Sequence, residues 1–431
     1  MMMEKNVASK KRFFYLVPIA FITYSLAYFD RANYSFGAAG GMAGDLNITA
    51  GVASFLSALF FLGYFFFQIP GAIYAERKSA KKLVFWSMIL WGFLASATGL
   101  VHHVAWLYPI RFFLGVVESA VMPAMLVFLS NWFLKEERSR ANTFLILGNP
   151  VTVLWMSIVS GYLLKALDWR GMFVIEGLPA IIWAFFWLKL VQDKPSQAKW
   201  LTDEEKRNIE EEMNAEQKGL KEVVSYKEAL RSKTVILLAI QYFAWSIGVY
   251  GFVMWLPSMI KEASHMDIVA TGWLSAAPYL LATIAMILVS YFSDKTLNRK
   301  TFVWVSLLIG TVAFYGSYMI GSSNFWISYA LLIIAGGAMY APYGPFFAIM
   351  PEILPKKVAG SANALINSMG ALGSFVGAYI VGFLNGATGG TKASFMFMAI
   401  ALLISVILTL LVKAQKRVEV KEEFEAKAVI K

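Results

Sequence analysis

The chain has 431 residues, of which 58% are hydrophobic, 16% aromatic and only 15% charged, too few charges to cover a water-facing surface of this size. Its net charge of +11 lies in short clusters between apolar runs, which is the pattern of membrane-flanking loops and not of a nucleic-acid footprint. There is no cysteine, and the three histidines (His102, His103 and His265) fall in or beside predicted loops, so no disulfide and no thiolate or histidine metal site is expected.

Lys5, Lys10, Lys11 and Arg12 precede an apolar run from about Phe13 to Ala38. That run exceeds the ~7–15 apolar residues of a signal peptide and reads as a retained first membrane helix. A spanning helix needs ~20 largely apolar residues. Further segments that qualify are 50–75, 83–101, 105–133, 142–165 and 170–191, then 234–260, 269–293, 301–320, 326–350, 358–384 and 393–413. Backbone polar groups inside a bilayer must be satisfied within the segment, so these are helices. The expected fold is all-α, with twelve transmembrane helices in two six-helix bundles, 1–191 and 233–413. A polar linker, 192–232, joins the bundles, and 414–431 form a charged tail. Within the linker, Thr202 and Glu205 have the spacing of a capping box opening a charged, solvated helix.

Loop charge sets an orientation. Arg77, Lys78, Lys81 and Lys82, then Lys135, Arg138 and Arg140, then Lys295, Arg299 and Lys300, then Lys356 and Lys357 all fall in alternate loops on the N-terminal side. The other loops hold few cations: Lys165, Arg170, Lys261 and Lys392. By the positive-inside rule both termini are cytoplasmic. Residues 75–82 and 293–300 repeat an acid, a base, a gap and a basic pair at the same place in each half, as a duplicated six-helix unit would.

Charges at membrane depth cost ~2.5–3.5 kcal/mol or more and therefore mark function. Asp30, Arg31, Arg111, Glu118 and Glu176 qualify, all in the first half. Arg111 and Glu118 share a face of one helix two turns apart, and Asp30 falls at a depth where it can meet Arg111. The second half offers Gln241, Tyr242, Trp245, Tyr340, Tyr343, Phe347, Asn363 and Asn367 instead. The plainer alternative is that the charges only lock the first and fourth helices together, and for Glu176, beside Gly177, a structural role is the expected one.

Gly71 to Lys82 resembles the loop signature of the major facilitator superfamily, with Glu76 for the usual aspartate and Ser79 for the usual glycine. Arg111 and Gly115 resemble that superfamily's second common motif. A narrower resemblance, to the anion:cation symporter family, is carried by Tyr28-Phe-Asp30-Arg31-Ala-Asn33, Tyr64 with Gln68-Ile-Pro70-Gly71, and Arg111 through Glu118. Trp132-Phe with Arg138, Trp169-Arg with Glu176-Gly, Trp200-Leu-Thr and Trp255-Leu-Pro257 add to it.

The resemblance implies that Asp30 and Glu118 are protonation sites, that Arg31 meets the substrate carboxylate, and that Arg111 switches between the acids. It places Tyr28, Tyr64, Asn149 (where family members carry glutamine) and Asn367 near substrate. Gln241, Trp245, Tyr343, Phe347 and Asn363 complete the expected binding set. Glu76, Arg77, Lys81, Lys82, Asp294, Lys295 and Arg299 form the expected gate, with Glu76 and Asp294 facing helix N-termini of the opposite half.

The implied activity is proton-coupled import of a small organic anion, a sugar acid, by alternating access across a bacterial inner membrane. It needs no cofactor beyond the proton, no nucleic-acid partner and no second subunit. Another carboxylate, aromatic or tartrate-like, is the alternative. Export is disfavoured because Leu147-Gly-Asn149-Pro150 lacks the paired glycines of the antiporter motif. A nutrient sensor would be expected to carry a longer cytoplasmic extension than this tail. No nucleophile–base or metal cluster suggests an enzyme.

Overall fold

The computed structural model describes residues 2–218, 233–296, 298–320, 324–353 and 356–412. Some side chains within these ranges, among them those of Asp30, Glu76, Asp294 and Asn363, lie outside the described set. The described residues are helical throughout the apolar runs and contain no strand.

The first half comprises α1 (Met2–Gly37), α2 (Ala50–Arg77), α3 (Ala80–Gly99) and a broken α4 (Leu107–Ser119 and Val121–Trp132). A continuous helical run, Lys135–Leu190, follows. Its apolar part, Phe144–Leu190, is 47 residues long. At ~1.5 Å per residue that is about twice the ~30 Å of a hydrocarbon core. The backbone breaks at Asp168 (φ 60°, ψ −174°), so the run is two crossings, α5 (135–167) and α6 (169–190). Among the described residues, eleven apolar runs thus give twelve membrane helices. The second half comprises α7 (Lys233–Ser264), α8 (Ile268–Thr296), α9 (Arg299–Ile320) and a broken α10 (Phe325–Tyr340 and Tyr343–Ile353). It ends with α11 (Lys356–Thr388) and α12 (Lys392–Leu411).

The breaks have local causes. Pro123 lacks the N–H that would bond Ser119 and crowds that carbonyl, and α4 interrupts at Ala120, two residues past Glu118. Pro345 does the same to Ala341 in α10, beside Tyr340 and Tyr343. After α1 the chain turns through Ala38–Met42 with Gly41 at φ 111°, a conformation that favours glycine.

The halves meet along three seams: α2 with α11, α5 with α8, and α1 with α7. At the end remote from the linker these seams are tight. Lys261 donates from α7 to the Ala39 carbonyl at 2.6 Å. A Cβ at Gly272 would stand 2.5 Å from the Ser157 carbonyl, and one at Gly386 would stand 2.5 Å from the Ala50 Cβ. Small residues here let backbones of opposite halves touch.

The linker helix, Asp203–Lys218, opens with a reciprocal capping box: Thr202 N–H donates to Glu205 at 2.8 Å, and Glu205 N–H to the Thr202 hydroxyl at 3.2 Å. It is docked on the first half, where Lys11 pairs with Glu205 at 3.1 Å. Trp200 also packs between Tyr15 (4.5 Å) and Trp132 (5.5 Å).

Candidate functional site

A cavity of about 70 Å³ lies between the halves at the centre of the bundle. A buried water needs ~10–15 Å³ by the same measure, so several waters or a small solute fit. Its walls come from α1, α2, α4 and α5 on one side and α7, α10 and α11 on the other.

Arg31 is the cavity's cation. It is 5% exposed, and its Nη2 lies 3.4 Å from Oε2 of Glu118, which is 1% exposed. Its Nη1 donates to the Tyr250 hydroxyl at 3.5 Å, across the seam between halves. The guanidinium is boxed by the rings of Tyr64 (4.8 Å), Tyr28 and Phe60 (both 5.2 Å). Those π-faces stabilise a charge that has left water. Tyr28 in turn meets Tyr340 hydroxyl to hydroxyl at 3.1 Å, a second bond between halves.

Arg111 does not line the cavity, although its guanidinium also packs on Phe60, at 5.4 Å. Its Nε donates to the Leu56 carbonyl at 3.3 Å, and its guanidinium stacks 4.0 Å over Tyr34. The shared helix face put Arg111 and Glu118 in one set. The structure gives Glu118 a partner from α1, because α4 turns that face toward α1 and its position 118 lies level with Arg31. The proposed meeting of Asp30 with Arg111 falls outside the described residues. Glu176 accepts from Ser160 at 2.7 Å and ties α6 to α5, away from the cavity.

Of the expected binding residues, Arg31, Tyr64, Asn149, Tyr343, Phe347 and Asn367 line the cavity. Tyr28 sits behind Arg31. Gln241 is fully buried and does not line the cavity, although its backbone carbonyl accepts from Ser405 of α12. Trp245 is held by its ring N–H on the Met339 carbonyl at 3.0 Å and packs on Tyr343 from behind. The side chain of Asn363 lies outside the described set. Tyr24, Gln68, Ser246 and Tyr250 line the cavity and were not on the expected list. Tyr242, Ser246 and Tyr250 recur every fourth residue on α7, a polar stripe on an otherwise apolar helix that marks one inward face.

At the linker end, the side chains of Glu76 and Asp294 are outside the described set, so their contacts with helix N-termini are too. Arg77, Lys82 and Lys295 are exposed. Ser79 caps α3 by accepting from Lys82 N–H at 3.0 Å. Asp193, at the end of α6, fixes that cap by accepting from the Ser79 hydroxyl (2.5 Å) and Lys81 N–H (2.9 Å). A serine in place of the signature's glycine thus has a use here, and Asp193 is a residue the sequence reading did not find. Arg299 donates to Ser293 at 3.2 Å at the equivalent place in the second half. Among the described residues no cluster of His, Asp or Glu could hold a metal.

Two halves of six helices around a central, charged cavity are the architecture of a membrane transporter. The family model of the Major Facilitator Superfamily matches residues 20–378 and, in a second overlapping match, 259–431. A putative tartrate transporter of Agrobacterium vitis is 31% identical, over 93% of this chain and 90% of its own. A quinolone resistance transporter of Acinetobacter baumannii is 29% identical (93% and 94%). A probable galactarate/D-glucarate transporter of Escherichia coli is 25% identical (95% and 95%). Among solved structures, an inward-facing, occupied bacterial homologue of the human lysosomal transporter Spinster superposes with a TM-score of 0.74 at 16% identity, covering 92% and 96%. The chain belongs to the Major Facilitator Superfamily.

Proposed function

We propose that this protein imports a small organic anion of the sugar-acid class by proton symport. The observation that carries the reading is the buried pair of Arg31, which lines the cavity, with Glu118 behind it. With Glu118 ionised, the guanidinium is neutralised. Protonation of Glu118 releases a positive charge in a buried, aromatic box, where a carboxylate is its natural counter-ion. Proton and anion then bind interdependently, which is the requirement for symport. Asp30 is proposed as a second protonation site. Asn149 and Asn367 supply amides for the substrate's hydroxyls from opposite walls, and the relatives named for tartrate and glucarate support the class. The linker end is assigned to the bacterial cytoplasm by its loop cations, and the monomer is the working unit. Glu76, Asp294 and the basic residues around them are assigned the cytoplasmic gate.

The test is Glu118→Gln in proteoliposomes, with labelled glucarate and labelled tartrate. Exchange of substrate for substrate is expected to survive and accumulation driven by a proton gradient to vanish. Normal accumulation removes Glu118 from coupling. A second reading, export of an aromatic compound, is favoured by the ring-rich lining of Tyr24, Phe61, Tyr64, Tyr242, Tyr343 and Phe347 and by the quinolone-resistance relative. It predicts proton-driven efflux of norfloxacin from the same vesicles and no anion exchange.

A further inference from the structure

Serines inside these helices usually turn their hydroxyls back on the preceding turn. Ser57 bonds the Ala53 carbonyl at 2.9 Å, Ser157 that of Val153 at 2.6 Å, and Ser374, also in the cavity wall, that of Gly370 at 2.8 Å. This is the default for a hydroxyl in an apolar helix, because the i−4 carbonyl is the nearest acceptor. Ser246 departs from it. It is 1% exposed, lines the cavity, and its Oγ has no hydrogen-bond partner among the described residues. The space it faces is kept by Gly370 of α11. A Cβ there would come 2.2 Å from the Tyr242 ring and 3.2 Å from the Ser246 hydroxyl. One turn along the same face of α7, Tyr250 touches Arg31. A hydroxyl-bearing chain whose carboxylate sits at Arg31 therefore passes Ser246 within about one helical turn, ~5.4 Å.

We infer that Ser246 is a specificity-determining residue, which hydrogen-bonds a hydroxyl of the bound acid and selects hydroxylated over plain carboxylates. The inference rests on the anion-import reading above and deepens it. An unpartnered buried hydroxyl discriminates by penalty as well as by gain. An acid lacking the hydroxyl leaves Ser246 unsatisfied in the closed site, whereas a sugar acid satisfies it. Gly370 is required with it, since any side chain there crowds both Tyr242 and Ser246.

The test compares D-glucarate with adipate, the same six-carbon diacid without hydroxyls, as competitors of labelled glucarate exchange by the intact protein in proteoliposomes. The wild-type protein is expected to prefer glucarate. Ser246→Ala is expected to lower the glucarate/adipate affinity ratio about tenfold, the worth of one neutral hydrogen bond with its desolvation. Ser246→Thr keeps the hydroxyl and is expected to keep most of the preference. An unchanged ratio in Ser246→Ala overturns the inference, as does an equal loss for both acids. A Ser246→Thr ratio as low as that of Ser246→Ala assigns Ser246 to packing and also overturns it. A wild-type protein that binds glucarate without preferring it over adipate overturns the inference but leaves anion transport standing. A wild-type protein that binds neither these acids nor tartrate overturns the transport reading itself.

Discussion

Arg31 keeps its charge inside the membrane because a carboxylate, a tyrosine hydroxyl and three aromatic faces surround it. A planar guanidinium satisfies this box in a way a lysine ammonium cannot: it lies against rings with its faces while its edge donates to Glu118 and Tyr250. Arg31→Lys is therefore expected to insert and fold but to weaken glucarate binding by tenfold or more, measured by competition in exchange. Affinity near that of the unaltered protein would remove Arg31 as the anion's partner. The charged residues of the site were legible in the sequence, because every ionisable group at membrane depth needs a reason. Their pairing was not. Spacing along α4 relates Arg111 to Glu118, but which neighbouring helix meets Glu118 depends on helix rotation and tilt, which the sequence does not display. Ser246 was missed for a different reason: a hydroxyl in an apolar helix is common, and it is distinguished only by lining the cavity while failing to bond the preceding turn.

At the scale of elements, the helices were legible by apolar length alone, while the breaks that shape the cavity depend on particular residues. Asp168 separates α5 from α6 at φ 60°, and its carboxylate caps α6 by accepting from Arg170 N–H (2.7 Å) and Gly171 N–H (3.2 Å). Asp168→Ala loses the cap and keeps the strained backbone, so it should cost about 1–2 kcal/mol. Asp168→Asn, which can still cap and tolerates positive φ, should cost a few tenths. Thermal unfolding in detergent decides between them, and equal melting temperatures would show that the turn is held by other contacts, such as Asp45 on Trp169 and Arg170.

The linker capping box was also legible in the sequence, but its docking was not, since Trp200 finds Tyr15 and Trp132 only in three dimensions. Burial raises the Glu205 carboxyl, yet the Thr202 N–H and Lys11 outweigh burial and hold it below its usual range. A lowered folded value means that the contribution is complete above the unfolded value and is lost as pH falls through the folded one. Spin labels at exposed Lys78 and Glu211 should report a single distance at neutral pH and a broadened one in Glu205→Ala or below the carboxylate range. An unbroadened distribution in both would assign the docking to Trp200 alone.

The whole molecule is a pair of six-helix halves, and in this structure the end remote from the linker is shut. Two of the contacts that shut it differ in kind. Lys261 on the Ala39 carbonyl is a single charged hydrogen bond that water can replace. The approach of α8 to α5 at Gly272 is steric, with the Ser157 carbonyl where a side chain would begin and Gly161 alongside. Backbone contact of this kind cannot be exchanged for solvent, and a packed interface is bistable: it either closes or separates. Gly272→Val should therefore hold the remote end apart, whereas Lys261→Met should only shift the balance. Asn47 and Thr388 are exposed on opposite halves at that end, and the chain has no native cysteine to confuse labelling. Spin labels at these two positions should show a longer distance in Gly272→Val. Glucarate should still bind from the remote side, and net uptake should stop because the site cannot turn over. Unaltered distances together with normal uptake would mean that closure at this end is borne by α2 and α11, where Ala50 meets Gly386, and that the α5–α8 seam slides without gating.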